Sequence, residues 1–417
     1  MNWTNVHNRG KVNKGGTYTM LQQQDDERNL ETIPVGTLGI IAMKGCTDSS
    51  VYIDAYLKKW RTARNHDHQD DISFKGYVRE SYLIPTSTPR FGSGEAKATI
   101  DESVRGFDIF IICDVTNYSL TYKLCGQQNR MSPDDQFQDI KREIAAVGGK
   151  ARRVNVTIPF RFESRQHRRY GRESLDCALA LQELISMGVA NIITFDAHDP
   201  RVQNAIPLSG FETVTSSYQF IKGICKHVKD LKFDNEHMMI VSPDEGGTSR
   251  AIYIANILGL DMGMFYKRRD FSKIVDGRNP IVAHEFLGTS VEGKDVLIID
   301  DMISSGESMI DVAKELKKHH AGRIFVVATF GLFTNGLKKF DDAVESGLIY
   351  KVVTTNLCYQ TPELLSRDYY IGCDMSKYIS YIIDTLNHDA SISDLLDPYE
   401  RIERLLARYK KEQKEND

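Results

Sequence analysis

The chain has no apolar run long enough to cross a bilayer, and its polar N-terminus has none of the hydrophobic core of a signal peptide. It has no large excess of one charge: 53 Lys and Arg stand against 57 Asp and Glu, a net of −4. Nothing in that balance asks for nucleic acid or an anionic membrane as a partner. The seven cysteines (Cys46, Cys113, Cys125, Cys177, Cys225, Cys358, Cys373) are odd in number, scattered, and form no Cys-x-x-Cys pair. That argues against a disulfide framework or a thiolate zinc site and fits reduced thiols in the cytoplasm. There is no low-complexity repeat. There is no Walker A loop either, because Gly148-Gly149-Lys150 runs into Ala151 without the required spacing. A soluble cytoplasmic protein of two or three globular units is expected, at ~100–200 residues per unit.

What is present is alternation. Strand-like runs fall at Leu38–Met43, Phe107–Cys113, Val154–Pro159, Ile192–Phe195, Met238–Val241, Met262–Tyr266, Val296–Ile299 and Ile324–Thr329. Helical patterns at Val51–Trp60, Gln136–Val147, Ser174–Met187 and Ser249–Leu258 lie between them. Strands interleaved with helices mean an α/β protein with mainly parallel sheets flanked by helices. Two successive sets imply two lobes, residues 35–212 and 213–398, with the boundary near Thr213–Lys232. Residues 1–34 read as a polar extension and 399–417 as a charged helix and tail. Residues 62–71, with His66 and His68, read as a solvated loop, and 114–133 as a turn-rich surface excursion.

The most informative stretch is Val296-Leu297-Ile298-Ile299-Asp300-Asp301, followed by Met302-Ile303-Ser304-Ser305-Gly306-Glu307-Ser308. Four apolar residues read as a buried strand, with two acids where it reaches the carboxyl edge of its sheet. Met309, Val312, Ala313 and Leu316 then share one face of a helix. Free N–H groups at that helix start, with the serine hydroxyls, would cradle a phosphate. The two acids would repel a phosphate and suit sugar hydroxyls or a magnesium shell. The plain alternative is a strand end whose acids cap the next helix. A second strand–turn–helix unit at Ser242-Pro243-Asp244-Glu245-Gly246-Gly247-Thr248-Ser249-Arg250 has glycines that permit close backbone approach to an anion, and read alone it is an ordinary turn.

Val296–Ser308 resembles the sugar-phosphate loop of phosphoribosyltransferases and phosphoribosyl pyrophosphate synthetases. Further segments resemble the synthetases alone. Ser242–Gly247 is similar to their Ser-Pro-Asp-x-Gly-Gly segment, which lies beside diphosphate and metal. Arg90-Phe91-Gly92-Ser93-Gly94-Glu95 resembles the segment that reaches adenine bound to a neighbouring subunit, with Ser93 where Asn is usual. Ile158–Arg169 resembles Pro-Tyr-x-x-Tyr-x-Arg-Gln-Asp-Arg/Lys, with His167 in place of Asp. Asp196-Ala197-His198 resembles Asp-Leu-His, and the continuation from Arg201 to Ile206 departs from the family form. Lys267-Arg268-Arg269 matches Lys-Arg-Arg at the base of a mobile loop, and residues 270–284 would form that lid. Ser304 and Glu307 stand where the family commonly has Asp and Gly.

The resemblance implies two phosphoribosyltransferase-like lobes and a ribose-phosphate diphosphokinase. Such an enzyme makes phosphoribosyl pyrophosphate and AMP from ATP and ribose 5-phosphate. It further implies catalytic roles for Lys267 and Arg269, and ATP contacts from Phe91, Ser93, Glu95, Arg165 and Gln166. Ribose 5-phosphate would be held by Asp300, Asp301, Ser304, Ser305, Gly306 and Ser308. Magnesium would lie near His198, Asp244 and Asp196. A homo-oligomer is implied, a hexamer in the family's usual form, with no nucleic acid or membrane partner. Two rivals stand beside it. One is a catalytically silent homologue that regulates active subunits; the other, less favoured, is a phosphoribosyltransferase, which has no use for Phe91–Glu95 or Arg165–Gln166.

Overall fold

A computed structural model describes residues 30, 32–66, 71–269 and 281–416, the side chains of 267–269, 281–284 and 416 excepted. Two parallel sheets organise the chain. The first contains β1 (Thr37–Ala42), β4 (Phe107–Ile112), β7 (Arg153–Thr157), β8 (Asn191–Phe195) and β9 (Gly210–Val214), in that spatial order. Between β1 and β7 come a small ladder, β2 (Thr86–Ser87) with β3 (Thr99–Ile100), and a hairpin, β5 (Thr121–Leu124) with β6 (Gln127–Arg130). Its helices are α1 (Thr47–Asn65), α2 (Pro133–Val147) and α3 (Asp176–Ser186). Helix α2 shows how local chemistry sets an end. Ser132 and Asp135 cap each other's backbone N–H groups, Pro133 takes the first turn, and Gly148 closes the helix at φ +59°.

The second sheet follows α4 (Ser217–His227). It is built from β10 (Met238–Ser242), β11 (Met262–Arg269), β12 (Ile281–Leu287), β13 (Asp295–Ile303), β14 (Ile324–Gly331), β15 (Lys351–Thr355) and β16 (Tyr370–Cys373). The spatial order is β12-β11-β10-β13-β14-β15-β16, parallel except for β12. Helices α5 (Thr248–Leu258), α6 (Glu307–Lys318) and α7 (Lys338–Glu345) connect these strands. All eight residues of β14 are buried, as a strand covered on both faces requires. The order reverses between β10 and β13. In an open parallel sheet, that reversal opens a crevice at the carboxyl ends of the two strands.

Two final helices tie the molecule together. Helix α8 (Ser376–Asn387) returns to the first lobe and packs on α1, burying Tyr378, Ile379, Ile382 and Ile383 in the core of the first sheet. A buried ionic chain fixes this contact. Arg61 on α1 donates to Asp384 (2.8 Å) and to Asn387; Asn387 donates to Asp108 (2.9 Å), which also pairs with Arg153 (2.8 Å). Helix α9 (Tyr399–Asn416) buries Ile402 and Tyr409 against α4 and α5. The Tyr409 hydroxyl donates to the Val228 carbonyl (2.8 Å) and accepts from the Leu231 N–H (3.0 Å).

Several expectations need correction. Residues 62–65 continue α1, because Trp60 and Arg61 are buried and hold that turn against the core; His66 follows the helix end, and His68 lies outside the described residues. The excursion at 114–133 contains the β5–β6 hairpin. Residues 281–284 belong to β12, paired antiparallel with β11, so that end of the expected lid is sheet; residues 270–280 lie outside the described residues. The strand carrying the two acids also runs past them to Ile303.

Candidate active site

The carboxyl ends of β8, β10 and β13 meet where the two lobes face each other. His198 follows β8, and its Nδ1 lies 2.7 Å from Oδ2 of Asp301 on β13. Asp301 is buried, whereas Asp300 beside it keeps 23% of its side chain exposed. Arg250, in the first turn of α5, places Nη1 3.7 Å from Oδ1 of Asp300. An imidazole, two carboxylates and a guanidinium from both lobes thus share one cleft. Phe160, Arg161, Ser164, Asp196 and Phe330 line the cavity beside it.

The electrostatics separates the two acids. Asp300 is pushed above the usual carboxylate range, first by burial and then by the charge of Asp301. Burial also opposes ionisation of Asp301, but the hydrogen bond from His198 and the charge of Arg250 outweigh it and hold this acid low. His198 is raised above its ordinary value, chiefly by the same hydrogen bond, against its partial burial. A proton on Nδ1 facing Asp301 leaves the Nε2 lone pair available, the arrangement by which a carboxylate orients a metal-binding histidine.

Asp196 adopts φ +36°, and its Oδ2 accepts from the Ser216 N–H (3.1 Å) and from the Thr329 hydroxyl on β14. The acid therefore bridges the lobes. Asp244 folds back on its own turn, its Oδ1 accepting from Gly246 (2.9 Å) and Gly247 (3.3 Å). Gly247 is needed there, since a Cβ would lie 2.9 Å from the Ser242 hydroxyl. Among the described residues no group of three or more His, Cys, Asp and Glu closes around a metal. Magnesium is commonly held by one or two carboxylates with substrate phosphates and water, so it does not require such a closed group.

Beyond β13 the chain turns through Ser304, Ser305 and Gly306 into α6. Gly306 takes φ +80°, and a Cβ there would lie 2.3 Å from the buried Phe340 ring. Phe340 thus holds the turn close to the helix start, where the Ser305 hydroxyl accepts a long hydrogen bond from the Glu307 N–H (3.4 Å). Glu307 would repel a phosphate at this position, but its carboxylate pairs with Lys339 at the exposed surface. Ser308 also stands exposed in the first turn.

The remaining candidates stand elsewhere. Phe91, Ser93 and Glu95 occupy a turn tip against the β5–β6 hairpin: Gly92 accepts from the Cys125 N–H (2.8 Å), Ser93 donates to Glu95 (2.8 Å), and Phe91 is 54% exposed. Arg165 is exposed, and the Gln166 amide donates to the Ser174 carbonyl (2.8 Å). His167 stands edge-on to His198, their ring centroids 5.1 Å apart. Lys267 and Arg269 belong to β11, where Lys267 opposes His284, and their side chains lie outside the described residues. Sequence reasoning had no role for Arg250, although it closes the motif beginning at Ser242. Thr329 carried no signal, since a buried threonine within an apolar strand looks like packing.

The comparisons agree with this layout. Residues 60–188 match the N-terminal domain of ribose phosphate pyrophosphokinase, and residues 212–354 match the phosphoribosyl transferase domain. A ribose-phosphate pyrophosphokinase of Shewanella oneidensis is 30% identical over 310 residues, covering 73% of this chain and 88% of that protein. One of Mycoplasma genitalium is 32% identical over 320 residues, covering 75% and 85%. The crystal structure of phosphoribosylpyrophosphate synthetase from Mycobacterium smegmatis superposes with a TM-score of 0.66 at 19% identity, over 85% of this chain and all of that one. The match of residues 60–188 to that enzyme's N-terminal domain, and relatives 30% and 32% identical over about three quarters of the chain, lead to a single assignment: the chain belongs to the ribose-phosphate pyrophosphokinase family.

Proposed function

We propose that the chain is an active ribose-phosphate diphosphokinase, moving the β,γ-diphosphoryl group of Mg-ATP to the anomeric hydroxyl of ribose 5-phosphate. The observation that carries this reading is the 2.7 Å contact between His198 of the first lobe and Asp301 of the second. It supports the reading because it joins the lobe to which the nucleotide is assigned to the lobe to which the sugar phosphate is assigned.

In this reading the Ser304–Ser308 turn and the start of α6 take the 5-phosphate, with Glu307 drawn aside by Lys339. Asp300 accepts from the ribose hydroxyls, and Asp301 does so only with the oxygen that His198 leaves. Arg165 and Gln166 act on the nucleotide, and Phe91, Ser93 and Glu95 serve adenine on a neighbouring copy, which makes the working form a homo-oligomer. Magnesium, when bound, would supply charge neutralisation at the phosphate oxygens, and His198 and Asp244 are the residues that would hold it. The anomeric hydroxyl attacks the β-phosphorus in line, and AMP leaves. Lys267 and Arg269 neutralise the charge that spreads over the transferring oxygens, so the rate comes from positioning and electrostatics.

The test is direct. Purified full-length protein with Mg-ATP and ribose 5-phosphate should release AMP in proportion to the sugar phosphate supplied. Nucleotide binding without AMP would replace this reading with that of a silent regulatory homologue.

A further inference from the structure

Residues 90–96 form an outward turn with little of its own to hold it. The Phe91 N–H donates to the Glu95 carbonyl (2.7 Å) and the Gly94 N–H to the Phe91 carbonyl (2.9 Å), yet Phe91, Gly92, Ser93 and Glu95 are all exposed. The β5–β6 hairpin supplies what the turn lacks. Cys125 and Gly126 join its strands at φ +49° and +83°, the pair of positive values that a two-residue reversal between twisted strands favours. The Cys125 N–H then donates to the Gly92 carbonyl (2.8 Å). Tyr122 and Leu124, two apart on β5, share one face and are half-buried, while Thr121 and Lys123 are exposed. Gly94 sits directly on that face, since a Cβ there would lie 2.7 Å from Cδ1 of Leu124 and 3.7 Å from Cε2 of Tyr122. Arg90 completes the mount. Its guanidinium lies 5.0 Å over the Tyr122 ring, and its Nη2 donates to the buried Asp139 of α2 (2.8 Å), whose other oxygen accepts from Arg142 (2.6 Å).

We propose that the β5–β6 hairpin is a positioning element for base recognition: through Arg90, Gly92 and Gly94 it fixes the turn that presents the Phe91 ring to a nucleotide base. The ring is 54% exposed although the backbone beneath it is tied down, which is the arrangement a stacking platform needs. An exposed turn without that mount would have to be ordered by the nucleotide itself, and the ordering would be subtracted from the affinity. Tyr122 and Leu124 therefore act through Phe91 and touch no nucleotide. The proposal rests on the reading that Phe91, Ser93 and Glu95 serve adenine, and it adds the residues that hold them in place.

The experiment measures binding to full-length protein by calorimetry in MgCl2, with two probes. One is α,β-methylene-ATP; the other is inorganic tripolyphosphate, which carries phosphates without a base. Tyr122→Ala and Leu124→Ala should bind the nucleotide analogue about five- to tenfold more weakly, the worth of one stacked base, and should bind tripolyphosphate within about twofold of wild type. Tyr122→Phe keeps the ring under Arg90 and should bind both probes as wild type does. Circular dichroism on each variant confirms that it is folded, and the two alanine substitutions give independent readings should one fail. Equal loss of both probes, or loss of neither, in a folded alanine variant would overturn the proposal. Phe91→Ala separates it from the reading beneath it. Wild-type affinity for the analogue in Phe91→Ala would remove the adenine role and the proposal together. A loss there with none in Tyr122→Ala or Leu124→Ala would leave the adenine role standing and overturn the proposal alone.

Discussion

Gly306→Ala tests how the Ser304–Ser308 turn, proposed above to take the 5-phosphate, is built. Two costs add. The residue sits at φ +80°, where a side chain costs about 1–2 kcal/mol. The new methyl would lie 2.3 Å and 2.5 Å from two ring carbons of Phe340. That ring is fully buried and packs edge-on against Phe333 at 5.3 Å, so it has little room to withdraw; overpacking of this kind costs about 1–3 kcal/mol. The sum, roughly 2–5 kcal/mol, lowers Tm by roughly 4–20 °C for a lobe of this size. Relief would come mainly by lifting the turn from the helix start. A shift near 1 Å at the 5-phosphate should lower kcat/KM for ribose 5-phosphate by roughly ten- to a hundredfold. Phe340→Leu separates the two costs: on that background Gly306→Ala should lose only the backbone part, about 1–2 kcal/mol. Scanning calorimetry with an AMP-release assay reads both. Wild-type Tm and KM in Gly306→Ala would refute the account of this turn.

Three further outcomes are expected. Lys267→Ala should lose turnover by roughly 10²–10³-fold while nucleotide affinity, read by calorimetry, stays within a few fold; undiminished turnover would remove Lys267 from the reaction. Asp384→Asn leaves the fully buried Arg61 without its carboxylate and should cost about 3–5 kcal/mol in urea unfolding, because stranding one member of a buried pair exposes the full desolvation penalty. His388 is held down to about 4 by burial and the nearby Arg61, against about 6.5 when unfolded. The unfolded chain therefore takes up the proton first, so stability present above about pH 6.5 is lost as pH falls toward 4, by up to about 1.4 kcal/mol per unit. Folded His388→Asn should show a shallower loss over that window, and an unchanged slope would show that the histidine is not responsible.

Much of this was open to inspection in the chain. Strand β13 announces itself by four consecutive apolar residues before two acids, and α2 by the helical pattern of Gln136–Val147. The β5–β6 hairpin was hidden because Gln127–Arg130 carries no apolar alternation; what supports it is long-range, with Arg90 lying 5.0 Å over Tyr122 and Arg130 5.5 Å over Tyr118. Helix α8 shows an apolar face in its sequence, but periodicity reports that a face is buried and not which lobe buries it. That decision lies with Arg61 and Asp384, which are 323 positions apart. The same limit applies to the site. Each strand end could be read separately, yet the contact between His198 and Asp301 spans 103 positions and exists only once both lobes are folded.

Asp196 shows why that limit matters for function. An acid one position past the end of a strand and two before a histidine invites a metal role, and its Oδ2 joins the Ser216 backbone to Thr329. A clamp and a metal support predict different things for Thr329→Val, which removes the hydroxyl and keeps the shape. Thr329 is fully buried, so a clamp losing that donor should cost about 1–3 kcal/mol of stability. The magnesium concentration giving half-maximal turnover should not move, because the donors offered to the ion are unchanged. Were Asp196 held in place for the ion, the same substitution would free the carboxylate and shift the magnesium requirement several-fold while stability stayed near wild type. Urea unfolding and a magnesium titration of AMP release, run on one preparation, separate the two. An altered magnesium requirement without a stability loss would return Asp196 to the metal.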